Sequence, residues 1–310
     1  MMQAKPDSLV ILTIDAGGTS VRFRLQQGTS LLCDDWSVPA QTDGFPPELQ
    51  CGSTFPDIIV AGITKVSRPG VVDAWNTAFA AQYPGVPSII VPDYELAAAA
   101  ALDTPNAVML LAGTGSLACA YDGQLLVRVG GRGWEYGDEG SGAFITTEVV
   151  RRCIRALDGM LPMSPLLQST IDLSRTSDAG EFAAWAREQA IAQGRGFLVP
   201  HLSSEAVKNN SEAINLFHGA GGWLARLAYT VHRRTKGMTD VINICAVGGL
   251  WDAGPYLQDA TVRALKKWFE VVEFSRYEES NLGGGIRLAS GLEENARQYG
   301  RGSSASVTRG

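Results

Sequence analysis

The chain has 310 residues, enough for two domains of ordinary size, and 45% of them are hydrophobic. Its formal net charge of −6 at pH 7 argues against a nucleic-acid-binding surface, which is normally basic. The five cysteines form no Cys-x-x-Cys pair, which fits isolated reduced thiols better than a disulfide framework. No basic segment followed by a long apolar run lies near the N-terminus, so the sequence predicts a cytoplasmic protein without a membrane span.

The first third of the chain alternates short apolar strands with helices, which is the pattern of an α/β domain. Apolar runs predict four strands, at 9–14, 21–25, 57–62 and 87–91. Apolar side chains at helical spacing predict a helix at 69–83, and an alanine-rich segment predicts another at 94–102. The segment 34–55 is rich in Pro, Gly, Ser, Asp and Thr and is predicted to be mostly loop.

The second part of the chain opens as the first part does, with a strand, a Gly-Thr turn and a second strand. These strands are predicted at 108–111 and 117–121, and a hairpin turn at Asp122-Gly123 leads to a third at 125–129. A late strand is predicted at 241–247, and helices at 149–157, 179–193, 204–236, 260–272 and 291–297. The repeated opening predicts two domains of related topology.

The first Gly-Thr loop, Asp15-Ala-Gly-Gly-Thr-Ser20, directly follows a predicted buried strand. Glycines let the backbone approach an anion closely, so the N–H groups of Gly17, Gly18 and Thr19 can point at one phosphate. The carboxylate of Asp15, at the strand end, can hold a hydrated Mg²⁺ ion. The competing interpretation is a plain hairpin turn, because Gly-Gly is a common turn pair.

The second Gly-Thr loop consists of Gly113, Thr114, Gly115 and Ser116 and follows the strand at 108–111. It occupies the same place in the second part of the chain as the first loop does in the first part. The two together favour a paired grip on the phosphates of a nucleotide. No Gly-Lys-Ser/Thr follows, so the sequence does not predict a Walker loop.

Two further positions follow predicted strands. Asp93 lies between a strand and the alanine-rich helix, where it can cap the helix or act as a general base toward a hydroxyl that attacks phosphorus. Gly248 and Gly249 follow the strand at 241–247, where they either admit a flat ring such as adenine or form a tight turn.

The glycine-rich loop, Val129–Gly142, has six glycines and three acidic residues among its 14 residues. Ordering so many glycines is entropically costly, so packing alone is a poor explanation for the segment. Asp138 and Glu139 can accept hydrogen bonds from sugar hydroxyls. Glu139 could equally cap the helix that follows.

These segments, in this order, resemble the N-acetylglucosamine kinase / BadF-type ATPase family of the sugar-kinase/actin superfamily. The match runs from Asp15 to about Gly285, and its most specific part is Gly130–Ser141, which is similar to the family's Gly-Gly-Trp-Gly…Gly-Asp-Glu-Gly-Ser signature. The resemblance implies an α/β fold of two actin-like (ribonuclease H-like) ATPase domains with a cleft between them. It places the domains at 1–105 and 106–285, a terminal helix that packs back on the first domain at 286–300, and a disordered tail at 301–310.

The resemblance also implies a reaction, the ATP- and Mg²⁺-dependent phosphorylation of N-acetylglucosamine or glucosamine at the 6-hydroxyl. Asp93 would be the catalytic base and Asp15 the carboxylate on the magnesium side. ATP contacts are implied for Gly17, Gly18, Thr19, Gly113, Thr114, Gly115, Gly248 and Gly249, and sugar contacts for Ser116, Leu117, Gly131, Arg132, Gly133 and Asp138. The implied partners are ATP and the sugar, with no nucleic acid and no membrane, and a homodimer is left open.

The chain departs from the family pattern at two positions that are assigned to sugar binding. Arg132 stands where the family has a tryptophan, and no counterpart of the asparagine that usually contacts the sugar follows Arg24. Arg132 is therefore a candidate partner for an acidic sugar such as N-acetylmuramic acid. Two other classes stay open: an iron–sulfur ATPase that activates a dehydratase, with Cys153 as its candidate ligand, and an actin- or chaperone-like ATPase.

Overall fold

The computed structural model describes residues 9–18, 20–40, 54–102, 104, 107–123 and 125–290. The chain divides into two compact units, the first from residues 1–103 and 279–310 and the second from residues 104–278. Thr19, the terminal helix expected at 291–297 and the tail at 301–310 lie outside the described residues. In the described part of the chain, no helix combines the length and the apolar character needed to cross a membrane.

The first unit is built on a six-stranded sheet with the strand order β3-β2-β1-β5-β6, in which β4 also pairs with β2. Strand β1 is antiparallel to β2 and parallel to β5, and β5 is parallel to β6. The strands are β1 (Val10–Ala16), β2 (Ser20–Gln27), β3 (Ser30–Leu31), β4 (Trp36–Pro39), β5 (Ile58–Ile63) and β6 (Ser88–Pro92). Since β1, β5 and β6 are parallel, their carboxyl ends lie at one edge of the sheet.

Two helices bury the apolar faces of this sheet, α1 (Val71–Gln82) and α2 (Asp93–Ala101). Trp75 of α1 is fully buried in one cluster with strand side chains, and Leu96 of α2 is buried in another. Ala289, in the helical stretch 284–290, packs in the Leu96 cluster. The end of the described chain therefore packs within the first unit.

The second unit has a five-stranded sheet with the order β9-β8-β7-β10-β11, the same arrangement of antiparallel and parallel neighbours around its first strand. The strands are β7 (Ala107–Ala112), β8 (Ser116–Asp122), β9 (Leu125–Gly130), β10 (Val241–Val247) and β11 (Val271–Arg276). The predicted repeat of strand, Gly-Thr turn and strand is confirmed. Because the strand order repeats as well, the likeness between the units covers the whole central sheet.

The helices of the second unit differ in part from the sequence prediction. They are α3 (Gly142–Leu157), α4 (Pro165–Asp172), α5 (Ala179–Ala192), α6 (Val199–Val207), α7 (Ser211–Lys236) and α8 (Pro255–Leu265). The prediction of a single helix at 204–236 is wrong, because the helix is interrupted between α6 and α7, where the Asn210 side chain caps α7. The helix predicted at 260–272 ends at Leu265, and its last predicted residues begin β11.

The helical spacing of Trp75, Trp185, Trp223 and Trp268 predicts four core side chains, but of the four only Trp75 is fully buried. Trp185 is half-buried, whereas Trp223 and Trp268 are exposed by 38% and 40%. Both exposed rings have a neighbour. The Arg226 guanidinium lies 4.8 Å from the Trp223 ring centre, and the Tyr229 ring centre lies 4.6 Å from that of Trp268 with the two rings tilted by 31°. Helical spacing therefore marks a helix face, as for Trp185 in α5 and Trp223 in α7, but does not tell whether that face is fully covered. Trp268 lies beyond the end of α8 at Leu265.

Candidate functional site

In the first unit, the hairpin between β1 and β2 fixes the side chain of Asp15. Asp15 is buried at the end of β1 and lies directly opposite Arg22 in the antiparallel register. The Arg22 guanidinium donates to Asp15 Oδ2 at 2.5 Å, and the Asn281 side-chain amide donates to the same oxygen at 3.3 Å. Arg22 and Asn281 thus both hold the carboxylate through a single oxygen.

Asp93 is the first residue of α2 and comes directly after β6. Its Oδ1 accepts the Tyr94 N–H at 2.9 Å, and the Thr64 side chain also hydrogen-bonds to it. Pro92 occupies the position before the helix and makes no side-chain cap. The Asp93 carboxylate therefore satisfies a backbone group of its own first helical turn and, like Asp15, lies at the carboxyl edge of the sheet.

The two carboxyl groups share an electrostatic environment that disfavours their charged forms. Burial raises the pKa of Asp93, and the neighbouring Asp15 carboxylate raises it further, against the hydrogen bonds from Tyr94 and Thr64. Burial also raises the pKa of Asp15, although the Arg22 guanidinium and the Asn281 amide act in the opposite direction. A strand-end carboxylate with a raised pKa is well matched to proton abstraction near neutral pH.

In the second unit, the second Gly-Thr loop is the turn of the β7–β8 hairpin. Gly113 N donates to Gly115 O at 2.9 Å, and Ser116 pairs with Ala112 in the antiparallel register. The loop is also bonded to the start of α3: Gly142 N donates to Gly113 O at 2.8 Å and Ala143 N to Thr114 O at 3.2 Å. The turn is therefore anchored to a helix as well as to its own strands.

The glycine-rich loop uses backbone conformations that side chains rarely adopt. Positive φ angles occur at Gly130, Gly131, Gly133 and Gly140, and also at Asp138. Its last residue, Gly142, opens α3, and the Ser141 side chain caps that helix by accepting the Phe144 N–H at 3.1 Å. The suggested cap by Glu139 is thus wrong.

The protein residues that the sequence assigns to sugar contacts lie around this loop and differ in how deeply they are buried. Ser116 is buried and donates its hydroxyl to Glu139 O at 2.8 Å. Leu117 is also buried, and its side chain lies beneath Gly131, so close that a Cβ added there would come within 3.0 Å of it. Arg132 is exposed. Ser116 and Leu117 therefore support the loop, and Arg132 extends from it.

Trp134, two residues after Arg132, is 44% exposed and carries an arginine on its ring. The guanidinium carbon of Arg195 lies 3.7 Å from the ring centre, a cation–π contact. Arg195 belongs to the turn before α6, whose Gly196 approaches the start of α3 at Gly142. This turn therefore lies beside the helix start that anchors the second Gly-Thr loop.

Gly248 lies at the end of β10, against the backbone of the second Gly-Thr hairpin. Its φ is 103°, and a Cβ at this position would fall 2.4 Å from Ala112 O, so the close approach requires glycine. Gly249 begins the short 3-10 helix Gly249–Ala253. Arg276 forms an ion pair with Asp252 at 3.1 Å beside this turn. Both interpretations of the glycine pair, a tight turn and an open place for a flat ring, are compatible with this geometry.

Sequence reasoning missed several residues that complete these sites. Arg22 could have been found, because the antiparallel register of a hairpin places it opposite Asp15. Asn281 is 266 positions away from Asp15, and no sequence pattern connects the two. Thr64, Arg195 and Arg276 likewise reach the site residues through tertiary packing alone.

Solved structures identify the fold as that of the actin-like ATPases. A protein from Chromobacterium violaceum assigned as an N-acetylglucosamine kinase superposes with a TM-score of 0.67 at 21% identity, covering 91% of this chain and 99% of that one. A ROK hexokinase from Thermus thermophilus gives a TM-score of 0.52 at 15% identity, covering 92% and 99% of the two chains. At these identities the likeness establishes the architecture.

Sequence comparison narrows the assignment to one family. The model of the BadF/BadG/BcrA/BcrD ATPase family matches residues 60–277, and the chain belongs to this family. Glucosamine kinase GspK from Vibrio cholerae is 25% identical over 271 residues, covering 82% of this chain and 88% of the relative. The family resemblance drawn from the loops is confirmed.

The buried position of Cys153 does not suit an iron–sulfur ligand. Cys153 is fully buried inside α3, with its thiol 3.9 Å from Leu167 O. Burial raises the pKa of this thiol to about 12, and among the described residues no group of three or more His, Cys, Asp and Glu side chains is arranged to hold a metal ion. This observation disfavours the dehydratase-activator alternative.

Proposed function

We propose that the protein is an ATP-dependent kinase that phosphorylates an amino sugar, N-acetylglucosamine or glucosamine, at its 6-hydroxyl. The observation that carries the proposal is Asp93, a carboxylate of raised pKa at a strand end beside the buried Asp15. The sugar class is supported by the glucosamine kinase from Vibrio cholerae and the Chromobacterium violaceum protein assigned as an N-acetylglucosamine kinase.

In this mechanism Asp93 removes the proton of the sugar 6-hydroxyl as the oxygen attacks the γ-phosphorus of ATP, and the bond from the γ-phosphorus to the β–γ bridging oxygen breaks so that ADP leaves. The backbones of the two Gly-Thr loops contact the phosphates of ATP, and Gly248 and Gly249 contact its adenine ring. The glycine-rich loop, with Gly131, Gly133 and Asp138, contacts the sugar. Exclusion of water then favours transfer to the sugar over hydrolysis.

Asp15 is the residue we assign to Mg²⁺. Mg²⁺ suits this place because the Asp15 carboxylate is buried and lies near the carboxylate of Asp93. A bound cation would stabilise the charged forms of both groups. When bound, Mg²⁺ neutralises charge on the transferring phosphoryl group. Asn281 would then orient the carboxylate, and the Arg22 guanidinium would compete with the metal for Oδ2.

An ATP-coupled assay across a panel of sugars tests the proposal. Glucosamine, N-acetylglucosamine, N-acetylmannosamine, N-acetylmuramic acid and glucose would each be offered with Mg²⁺ and ATP, and the phosphorylated position of any product would be read by NMR. We expect a 6-phosphate of an amino sugar. ATP hydrolysis indifferent to every sugar would favour an actin- or chaperone-like ATPase instead.

A second candidate substrate is an acidic amino sugar, and the exposed Arg132 favours it. An exposed guanidinium in the loop assigned to the sugar can pair with a lactyl carboxylate. Replacing Arg132 with alanine should then reduce kcat/KM for N-acetylmuramic acid by about 10-fold or more, while neutral sugars are little affected. An unchanged preference between neutral and acidic sugars would exclude this role.

A further inference from the structure

The Asp138 carboxylate interacts with the backbones of two loops. Burial raises the pKa of Asp138, and the backbone N–H groups of Ser116, in the second Gly-Thr loop, and of Gly133, in the glycine-rich loop, act in the opposite direction. Its oxygen Oδ2 also lies against Gly115, where an added Cβ would come within 3.1 Å of it. The carboxylate is thus already engaged by the protein's own backbone.

Asp138 also has an unusual backbone conformation. Its φ of 57° lies in the left-handed region, where aspartate and asparagine are the most tolerated residues other than glycine. The glycine-rich loop uses glycine at its other positive-φ positions, Gly130, Gly131, Gly133 and Gly140. Aspartate can therefore adopt this conformation while its carboxylate lies against Gly115 of the second Gly-Thr loop.

Other hydrogen bonds join the same two segments. The Ser116 hydroxyl donates to Glu139 O at 2.8 Å, and Ser141 N donates to Asp138 O at 3.1 Å. The bonds from Gly142 N and Ala143 N to carbonyls of the second Gly-Thr loop complete the connection. Among these contacts, the Asp138 carboxylate is the charged group, and charged acceptors form the stronger hydrogen bonds.

We propose that Asp138 is a positioning residue for the second Gly-Thr loop and that nucleotide affinity depends on it even when no sugar is bound. This inference rests on the proposed kinase function, in which the loop contacts phosphates. It gives Asp138, in addition to its proposed sugar contact, a second role as a tie between the nucleotide loop and the sugar loop. Through that tie, a disturbance of the glycine-rich loop reaches the phosphate contacts.

The experiment measures nucleotide binding without sugar. Asp138→Ala and Asp138→Asn would be compared with the unmodified protein by calorimetric titration with a non-hydrolysable ATP analogue and Mg²⁺. We expect the alanine variant to bind the analogue about 10-fold or more weakly, because two backbone donors lose a charged acceptor. The asparagine variant tolerates the same φ and keeps one acceptor oxygen, so its loss should be smaller.

Glu135→Gln is the matched control, since Glu135 is an exposed acid of the same glycine-rich loop. It should leave the dissociation constant of the analogue unchanged. A dissociation constant that is also unchanged in Asp138→Ala, together with a raised KM for sugar, would overturn the proposal and make Asp138 a sugar ligand only.

Amide hydrogen exchange gives a second readout that does not depend on the kinase assignment. Without any ligand, the Ser116 amide should exchange faster in Asp138→Asn than in the unmodified protein, whereas a distant amide such as that of Phe182 should not change. Unchanged exchange at Ser116 would contradict the tie. Failure of the unmodified protein to bind the nucleotide analogue would instead count against the proposed function.

Discussion

At the scale of single residues, the candidate site contains carboxylates in places that disfavour their charge. Asp93 and Asp15 are desolvated at the carboxyl edge of one sheet, and the charge of Asp15 raises the pKa of Asp93. Such an arrangement stabilises the protonated forms and therefore opposes ionisation in the folded state. It also gives Asp93 the proton affinity that a general base requires.

Replacing Asp93 with asparagine should separate binding from chemistry. The amide cannot take up the hydroxyl proton, so kcat for sugar phosphorylation should fall by at least ~100-fold, while ATP still binds. Steady-state kinetics and a nucleotide titration measure the two effects. Asp73→Asn, at an exposed acid of α1, is the matched control and should keep normal kcat. A near-normal kcat in Asp93→Asn would remove Asp93 from the role of base.

The same variant should change the pH dependence of stability. The folded-state pKa of Asp93 lies above its unfolded-state pKa. The folded protein therefore loses stability as the pH rises from the unfolded-state pKa through the folded-state pKa, because Asp93 ionises. The asparagine variant has no such loss, so its Tm should exceed that of the unmodified protein at mildly alkaline pH. The difference should vanish below the ordinary aspartate pKa of ~3.9. An equal Tm at both pH values would contradict the raised pKa.

At the scale of elements, the buried strands were predicted well, whereas the partly exposed strands β3, β4 and β11 were missed and helix ends were predicted less well. The apolar runs located β1, β5, β6, β7, β8 and β10 within one or two residues, because a buried strand needs a continuous apolar stretch. The amphipathic pattern from 204 to 236 continues across the interruption between α6 and α7, because both helices pack apolar faces against the same core. The break depends on a local cap at Asn210 that hydrophobic spacing does not register.

The cap of α7 is open to a direct test. The Asn210 side chain accepts the N–H groups of Glu212 at 3.0 Å and Ala213 at 3.2 Å. Asn210→Ala should lower the free energy of unfolding by ~1 kcal/mol, and the Tm by about 2–4 °C for a unit of this size. Asn210→Ser, which can accept the same bonds, should recover most of the loss. If serine and alanine destabilise equally in thermal unfolding, the side-chain cap does not contribute.

At the scale of the molecule, each unit has a core of its own. The first unit buries Trp75 and Leu96 in separate clusters on its sheet, and the second buries Phe182 and Phe217 in one large cluster. Both sheets repeat one strand order, and each carries a Gly-Thr loop at the end of its first strand. The proposed phosphate contacts therefore occupy equivalent positions in the two units.

Core truncations should act mainly in the unit that contains them. Trp75→Ala and Phe182→Ala each remove a fully buried aromatic ring and should cost ~3–5 kcal/mol of stability. Hydrogen exchange should show lost protection concentrated in β1, β5 and α1 for Trp75→Ala, and in α3 and α5 for Phe182→Ala. Equal loss of protection throughout the chain in both variants would contradict separate cores.

The sequence by itself determined the α/β class, the repeated strand–turn–strand opening and the family. These features depend on local patterns, namely apolar runs that form strands and glycine loops at their ends. Only the tertiary structure decided how the Asp15 carboxylate is held, because Asn281 reaches it from the far end of the chain. It likewise decided that the Asp138 carboxylate interacts with the backbones of two loops. Contacts between segments distant in sequence depend on how strands and helices pack, and no local pattern encodes them.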